Sequence, residues 1–217
     1  MKIEFKGAQK RIYIPEAAYF ITVKTHNNGP FFKEKIFYDL FVENLRVCKK
    51  LKEFSLYGWV IVHDLPARSQ SFASAKAGHI HLLIQPRGKW SYSEIMFSIK
   101  KQFSHDANRV MGFNPPFPVE GAQTFARLQR WVLIDHQKKV SQFRKLFLKK
   151  YGNHDPFDIF RWQKSFHDHY IRNVSDFETH MKYIIDNLYH HPLPKDWPYI
   201  FTNEKFADLA EEDPIGA

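Results

Sequence analysis

The sequence predicts an α+β domain whose four-stranded antiparallel sheet carries helices on one face, together with a helical insertion. Apolar residues make up 44% and aromatic residues 17% of the 217 positions, which is enough to bury a core and more than a disordered chain carries. Strand-like and helix-like segments follow in the order strand, helix, strand, strand, helix, insertion, strand, helix. Two right-handed crossovers turn that order into the split βαβ, or ferredoxin-like, arrangement.

The first half of the chain supplies three strands and one helix. Residues 17–25 are rich in β-branched and aromatic side chains, and they end at the turn formed by residues 26–30. Apolar residues recur at helical spacing over residues 33–54. Residues 55–62 and 79–85 form apolar strands. We therefore expect a strand–helix–strand–strand unit here.

A capping box opens the next helix. Ser91 is followed three residues later by Glu94, and such a pair satisfies the first backbone N–H groups of a helix. The helix is expected to end near residue 110, because residues 112–118 are rich in proline. Residues 124–151 are again helical and lie within an insertion over residues 111–156.

The last strand and the last helix follow this insertion. Residues 161–172 are strand-like, and residues 176–189 form a helix with Asp176 or Ser175 as its N-cap. The chain beyond Pro192 is rich in proline and tryptophan, so we expect it to be irregular. The sequence predicts one domain over residues 1–200 and a tail over residues 201–217.

Charge and cysteine content narrow the classes of function. Lysine and arginine number 32 against 23 acidic residues, a net charge of +9 that favours a polyanionic partner. The single cysteine, Cys48, excludes a disulfide framework and a multi-cysteine zinc site. No apolar run is long enough to cross a bilayer, and the N-terminus lacks a signal-peptide core. We expect a cytoplasmic protein that acts away from membranes.

Two pairs of polar residues together predict a metal-dependent site. His79 and His81 flank Ile80 in a strand, so both imidazoles project from one face. Tyr183 and Asn187 are one turn apart on the last helix and share a face. If the two faces meet, the imidazoles and the amide oxygen suit Mg²⁺ or Mn²⁺ bound with substrate phosphate oxygens, and the phenol is placed to attack the phosphorus. Such a reaction leaves a covalent phosphotyrosine and a free 3′-hydroxyl.

Each of these features alone has an ordinary structural explanation, such as a core histidine, a core aromatic or a helix cap. A rival metal pair also exists, because His167 and His169 alternate in the last predicted strand around Asp168. For that pair we expect structural or DNA-contact roles. His63, at the end of the second strand, is a further possible ligand of the first pair.

These residues resemble the single-tyrosine HUH transposases, most closely the REP-associated tyrosine transposases. The matching segments are residues 19–23, 58–62, 79–84 and 162–172, the positions Phe177, Tyr183, Ile184 and Asn187, and residues 197–199. The resemblance implies that His79 and His81 bind a divalent metal, that Tyr183 is the nucleophile and that Asn187 is the third ligand. It further implies strand cleavage and rejoining on single-stranded or hairpin DNA from repeated palindromic elements, and it favours a monomer over a homodimer.

The chain departs from that family at two places. Residues 63–77 form a loop inserted before the first histidine. After Asn187 the family's Pro-Val-Lys-Ala-Gly continuation is replaced by residues 188–192, which bring Tyr189 as a second phenol.

A basic run in the insertion predicts a surface that follows a phosphate backbone. The expected nucleic-acid-binding residues are Lys138, Lys139, Arg144, Lys145, Lys149, Lys150 and Arg172. Two other functions remain open at this point. One is a non-catalytic nucleic-acid-binding module on the same fold, and the other is a zinc metallohydrolase that uses His79, His81 and His63.

Overall fold

The computed structural model describes residues 13–14, 16–62, 78–113, 127–152, 157–191 and 193–203. Two short 3₁₀ turns, His26–Asn28 and Pro30–Lys33, connect the first strand to the first helix. In chain order the main elements are β1 (Tyr19–Lys24), α1 (Lys35–Lys52), β2 (Phe54–Val62), β3 (His79–Pro86), α2 (Tyr92–Met111), α3 (Arg127–Tyr151), β4 (His167–Tyr170), α4 (Val174–His190) and β5 (Ile200–Thr202).

The sheet has the order β4-β1-β3-β2-β5, and every neighbouring pair is antiparallel. The first four strands in this order are those of the split βαβ arrangement, so the predicted fold class is confirmed. The fifth strand was not expected, since the chain after Pro192 was predicted to be irregular. Residues 200–202 instead pair with residues 58–60 of β2. A strand of three residues is too short to show an alternating pattern in sequence.

The two faces of the sheet carry separate apolar clusters. On one face, Ile80, Leu82 and Ile84 of β3 join the core formed with α1, α2 and α3. On the other face, Leu83 packs with α4, together with Phe20, Phe177, Met181 and Ile184. The expectation of helices on one face is therefore wrong for α4, because its apolar stripe covers the opposite face.

Helix ends agree with the sequence in one case and differ in another. The side chains of Ser91 and Glu94 each accept a hydrogen bond from the other's backbone, which confirms the capping box of α2. The N-cap of α4 is Asn173, whose side chain accepts from the Asp176 N–H at 2.9 Å, so the predicted cap at Ser175 or Asp176 is wrong. Asp176 lies in the first turn, where its carboxylate faces β4.

The strand β4 is also shorter than predicted, and Trp162 makes only an isolated bridge to Thr25.

The helical insertion, as far as it is described, is the long helix α3 packed on α1 and α2. A buried ionic cluster joins the three helices. Nε2 of His136 in α3 lies 2.8 Å from Asp106 Oδ2 in α2, and its Nδ1 lies 3.5 Å from Glu43 Oε1 in α1. Burial opposes the charge on the His136 ring, but the hydrogen bond to Asp106 and the adjacent carboxylate of Glu43 raise its pKa to about 9.

Two predicted segments lie largely outside the residues that the structure describes. The inserted loop over residues 63–77, with His63, lies outside the described residues, as do residues 204–217 of the predicted tail. No helix among the described residues is both long enough and apolar enough to span a membrane.

Candidate active site

His79 and His81 lie on the central strand β3, on the face that α4 covers. Their rings are perpendicular, with centroids 4.8 Å apart, as expected for alternate residues of one strand. His81 is almost wholly buried, whereas His79 is partly exposed. The ring of His191, just beyond α4, lies 5.2 Å from the ring of His79.

The helix α4 brings Tyr183 to this histidine pair. The Tyr183 ring stands edge-on to the His81 ring at a centroid distance of 5.2 Å. Asn187 lies one turn further along the same helix face and is buried, and its Nδ2 donates to the Tyr183 carbonyl at 2.6 Å. The Tyr183 side chain remains 42% exposed, so a large substrate can reach it. The structure thus places the predicted nucleophile beside the predicted metal pair, while the catalytic and ligand roles of these residues stay predictions.

Two buried polar atoms at this site have no hydrogen-bond partner among the described residues. They are Nε2 of His81 and Oδ1 of Asn187. Burial, together with His79, His191 and Lys24, lowers the pKa of His81 to about 2, so its ring is neutral at physiological pH. Buried polar atoms are rarely left unpaired in proteins, and a neutral imidazole and an amide oxygen are both metal ligands. This donor set fits a divalent cation.

The strand β1 contributes two residues to the site that sequence reasoning missed. Thr22 Oγ1 lies 2.8 Å from Nδ1 of His81, which leaves Nε2 as the nitrogen for a ligand. The ring of Phe20 lies 5.2 Å from that of His81 and 5.7 Å from that of Tyr183. Alternation along residues 19–23 puts Phe20 and Thr22 on one face, but only the pairing of β1 with β3 shows which side chains they meet.

The two histidines of the rival pair, His167 and His169, lie in different surroundings. His169 Nε2 lies 3.0 Å from a carboxylate oxygen of Asp176, and its ring stacks on that of His180 at 4.5 Å. His169, Asp176 and His180 each offer a ligand atom, all within 4.8 Å of one another, so this group could hold a metal ion. His167 is exposed and does not belong to that group.

Of the seven basic residues predicted to bind nucleic acid, some already contact other groups of the protein. Four of them have structural contacts, namely Lys139 with Glu43, Arg144 with the Val110 carbonyl, Lys150 with Glu34 and Arg172 with Asp176. The other three, Lys138, Lys145 and Lys149, are exposed on α3. This helix lies on the α1 and α2 side of the sheet, opposite the face that carries Tyr183. The role of these lysines in binding nucleic acid stays a prediction.

Comparison with known proteins finds similarity at the level of fold. No known family and no curated protein matches the sequence. One solved structure, of a REP-associated tyrosine transposase bound to a REP hairpin, aligns over 95% of this chain and 87% of its own, with a TM-score of 0.53 and 18% identity. The chain therefore shares the overall fold of that transposase as a distant structural relation.

Proposed function

We propose that this protein is a divalent-metal-dependent, single-tyrosine DNA strand transferase of the HUH type, with Tyr183 as its nucleophile. The observation that carries the proposal is the contact between an exposed tyrosine and His81, whose buried Nε2 has no protein partner among the described residues. The fold likeness to a transposase bound to a DNA hairpin agrees with this function.

His79, His81 and Asn187 would hold Mg²⁺ or Mn²⁺. When bound, such an ion polarises a phosphoryl group and offsets the negative charge that develops on its oxygens. The neutral state of His81 leaves its lone pair available, and the Thr22 contact at Nδ1 orients the ring. The Asn187 side chain is held in place by its hydrogen bond to the Tyr183 carbonyl, so its Oδ1 is fixed relative to the nucleophile.

Tyr183 carries the covalent step. Its phenolic oxygen attacks the phosphorus of a phosphodiester, the bond from phosphorus to O3′ breaks, and the leaving O3′ takes a proton from solvent to become a 3′-hydroxyl. The phenol's own proton passes to solvent, which reaches this partly exposed side chain. The 5′-phosphate remains attached to Tyr183. Attack by a second 3′-hydroxyl reverses the step and joins the strands without a nucleotide cofactor.

The substrate class that fits is single-stranded DNA flanked by a hairpin. The net charge of +9 favours a polyanion. Tyr183 is only partly exposed where α4 meets the sheet, and His81 behind it is buried, so a phosphodiester in a flexible single strand fits this recessed site better than one in a rigid duplex. Repeated palindromic elements supply strands of this kind.

A denaturing gel tests the proposal directly. The protein is incubated with labelled single-stranded DNA that contains a hairpin, in the presence of Mn²⁺, and a protein–DNA adduct that survives denaturation is expected. Tyr183→Phe should abolish the adduct and leave binding intact. Tyr189→Phe is the matched control, because Tyr189 lies on the same helix but is 81% exposed. An adduct that persists in Tyr183→Phe would place the nucleophile elsewhere.

The same assay separates the two other functions. Binding that survives EDTA, with no adduct under any condition, would favour a nucleic-acid-binding module. DNA hydrolysis that persists in Tyr183→Phe with added zinc would favour a histidine-based metallohydrolase.

A further inference from the structure

One face of α4 carries four polar residues in a row. Asp176, His180, Tyr183 and Asn187 lie at positions i, i+4, i+7 and i+11, so they share the helix face that meets the sheet. Tyr183 and Asn187 belong to the candidate active site at β3. Asp176 and His180 lie nearer the start of the helix, where they meet His169 of β4.

We propose that His169, Asp176 and His180 form a second metal site, distinct from the one at His79 and His81, and that it takes a transition metal of the zinc class. Two imidazoles and one carboxylate are a ligand set typical of Zn²⁺ sites that keep a further position for water. This proposal does not depend on the proposed strand-transfer function.

Two of the three ligand spacings in the group suit an ion of this size. Oδ1 of Asp176 lies 3.1 Å from Nε2 of His169 and 3.2 Å from Nδ1 of His180. With metal–ligand bonds of about 2.0–2.1 Å, two ligand atoms of a tetrahedral site lie about 3.3 Å apart. The carboxylate is therefore already at coordination spacing from both rings, and the ion takes the place of the protons that now link them.

The second carboxylate oxygen also accepts hydrogen bonds from Arg172. The backbone N–H of Arg172 donates to Oδ2 of Asp176 at 3.0 Å, and its guanidinium Nε does so at 3.1 Å. These bonds fix the carboxylate, whose Oδ1 and Oδ2 lie 3.1 Å and 3.0 Å from Nε2 of His169. The His180 Nδ1 donates to the Asp176 carbonyl at 2.7 Å, and this bond gives way when Nδ1 binds an ion. The carboxylate is ordered before an ion binds, which lowers the entropic cost of binding.

The second site is separate from the first because β1 lies between β3 and β4. Neighbouring strands are about 4.8 Å apart, so the two histidine-bearing strands are about 10 Å apart. The Phe20 ring fills this interval, at 4.7 Å from His180 and 5.2 Å from His81. Two-metal phosphoryl-transfer centres hold their ions only about 3.5–4 Å apart. An ion at His169 therefore ties β4 to the first half of α4 and does not act on the same phosphate.

Zinc binding to the full chain tests this site. The double variant His79→Ala with His81→Ala serves as the background, so that the candidate active site does not contribute. Zn²⁺ is titrated in competition with a chromophoric chelator, and Co²⁺ absorption reports the coordination. His169→Gln and His180→Gln are each added to this background. His167→Gln is the matched control, since it lies on the same strand but outside the group.

We expect the background variant to bind one zinc ion at this site more tightly than at any other site in the chain. Each of His169→Gln and His180→Gln should weaken that binding by at least about tenfold, while His167→Gln should leave it unchanged. Equal affinity in the background and in both glutamine variants, each shown to be folded by circular dichroism, would overturn the second site. If the unmutated chain forms no DNA adduct while the background variant still binds zinc at this site, only the proposed function is overturned.

Discussion

Replacing His136 with glutamine is expected to remove a pH-dependent part of the protein's stability. In the native structure the His136 ring lies between Asp106 of α2 and Glu43 of α1, and it is nearly inaccessible to solvent. The two carboxylates favour the imidazolium, which raises the pKa from 6.5 to about 9 despite the opposing effect of burial. Glutamine keeps a similar volume and hydrogen-bonding groups but cannot take up a proton.

The direction of the effect follows from the raised pKa. Protonated His136 stabilises the fold fully below pH 6.5, and this contribution is lost as the pH rises to about 9. Each unit of pKa difference corresponds to about 1.4 kcal/mol, so the charge contributes about 3 kcal/mol at pH 6 and under about 0.5 kcal/mol at pH 9. Any change in packing caused by the substitution adds a constant and leaves this dependence intact.

Urea unfolding of both proteins at pH 6, 7.5 and 9 measures the effect. The difference in unfolding free energy should shrink by about 2–3 kcal/mol across this range, which corresponds to a melting-temperature gap that narrows by about 4–12 °C for a chain of this size. Groups that do not contact His136 titrate alike in both proteins and cancel in the difference. A gap that stays constant from pH 6 to pH 9, or that widens, would show that His136 is not held as an imidazolium between the two carboxylates.

Three further substitutions test the site and the helix that carries it. Thr22→Val removes the contact at Nδ1 of His81 and should weaken Mn²⁺ binding by about 10–100-fold with little change in melting temperature, as measured by calorimetric titration; unchanged affinity would remove Thr22 from the site. Gly58→Ala would bring a Cβ to 3.0 Å from Cδ1 of Ile184, and relieving this contact should lower the unfolding free energy measured in urea by about 1–3 kcal/mol. An unchanged free energy would mean that α4 is loosely packed on β2. Asn173→Ala removes the N-cap of α4 and should cost about 1 kcal/mol by the same measurement, with Asn173→Asp retaining most of the stability; equal losses in both variants would argue against the cap.

Local periodicity made much of the candidate site predictable. Alternation in a strand puts His79 and His81 on one face, and helical spacing does the same for Tyr183 and Asn187. The capping box at Ser91 fixed where α2 begins in the same way. In each case the physical rule acts over fewer than about five residues, so the sequence contains all the information required.

The position of α4 could not be read with the same certainty. Consecutive residues of β2, from Trp59 to Val62, are all buried, which is typical of a strand covered on both faces. The apolar run in the sequence predicted a buried strand but did not show which helix covers its second face. The apolar stripe of α4, formed by Phe177, Met181 and Ile184, would fit either face.

The sequence by itself determined the fold class, the strand that carries two histidines and the helix face that carries a tyrosine and an asparagine. Only the tertiary structure decided that these meet, that Thr22 and Phe20 complete the site, and that His169 joins Asp176 and His180 beside it. The reason is that strand order and the choice of sheet face come from packing between segments about 60 to 150 residues apart. Such packing depends on the shapes of both surfaces, and no short-range spacing rule encodes it.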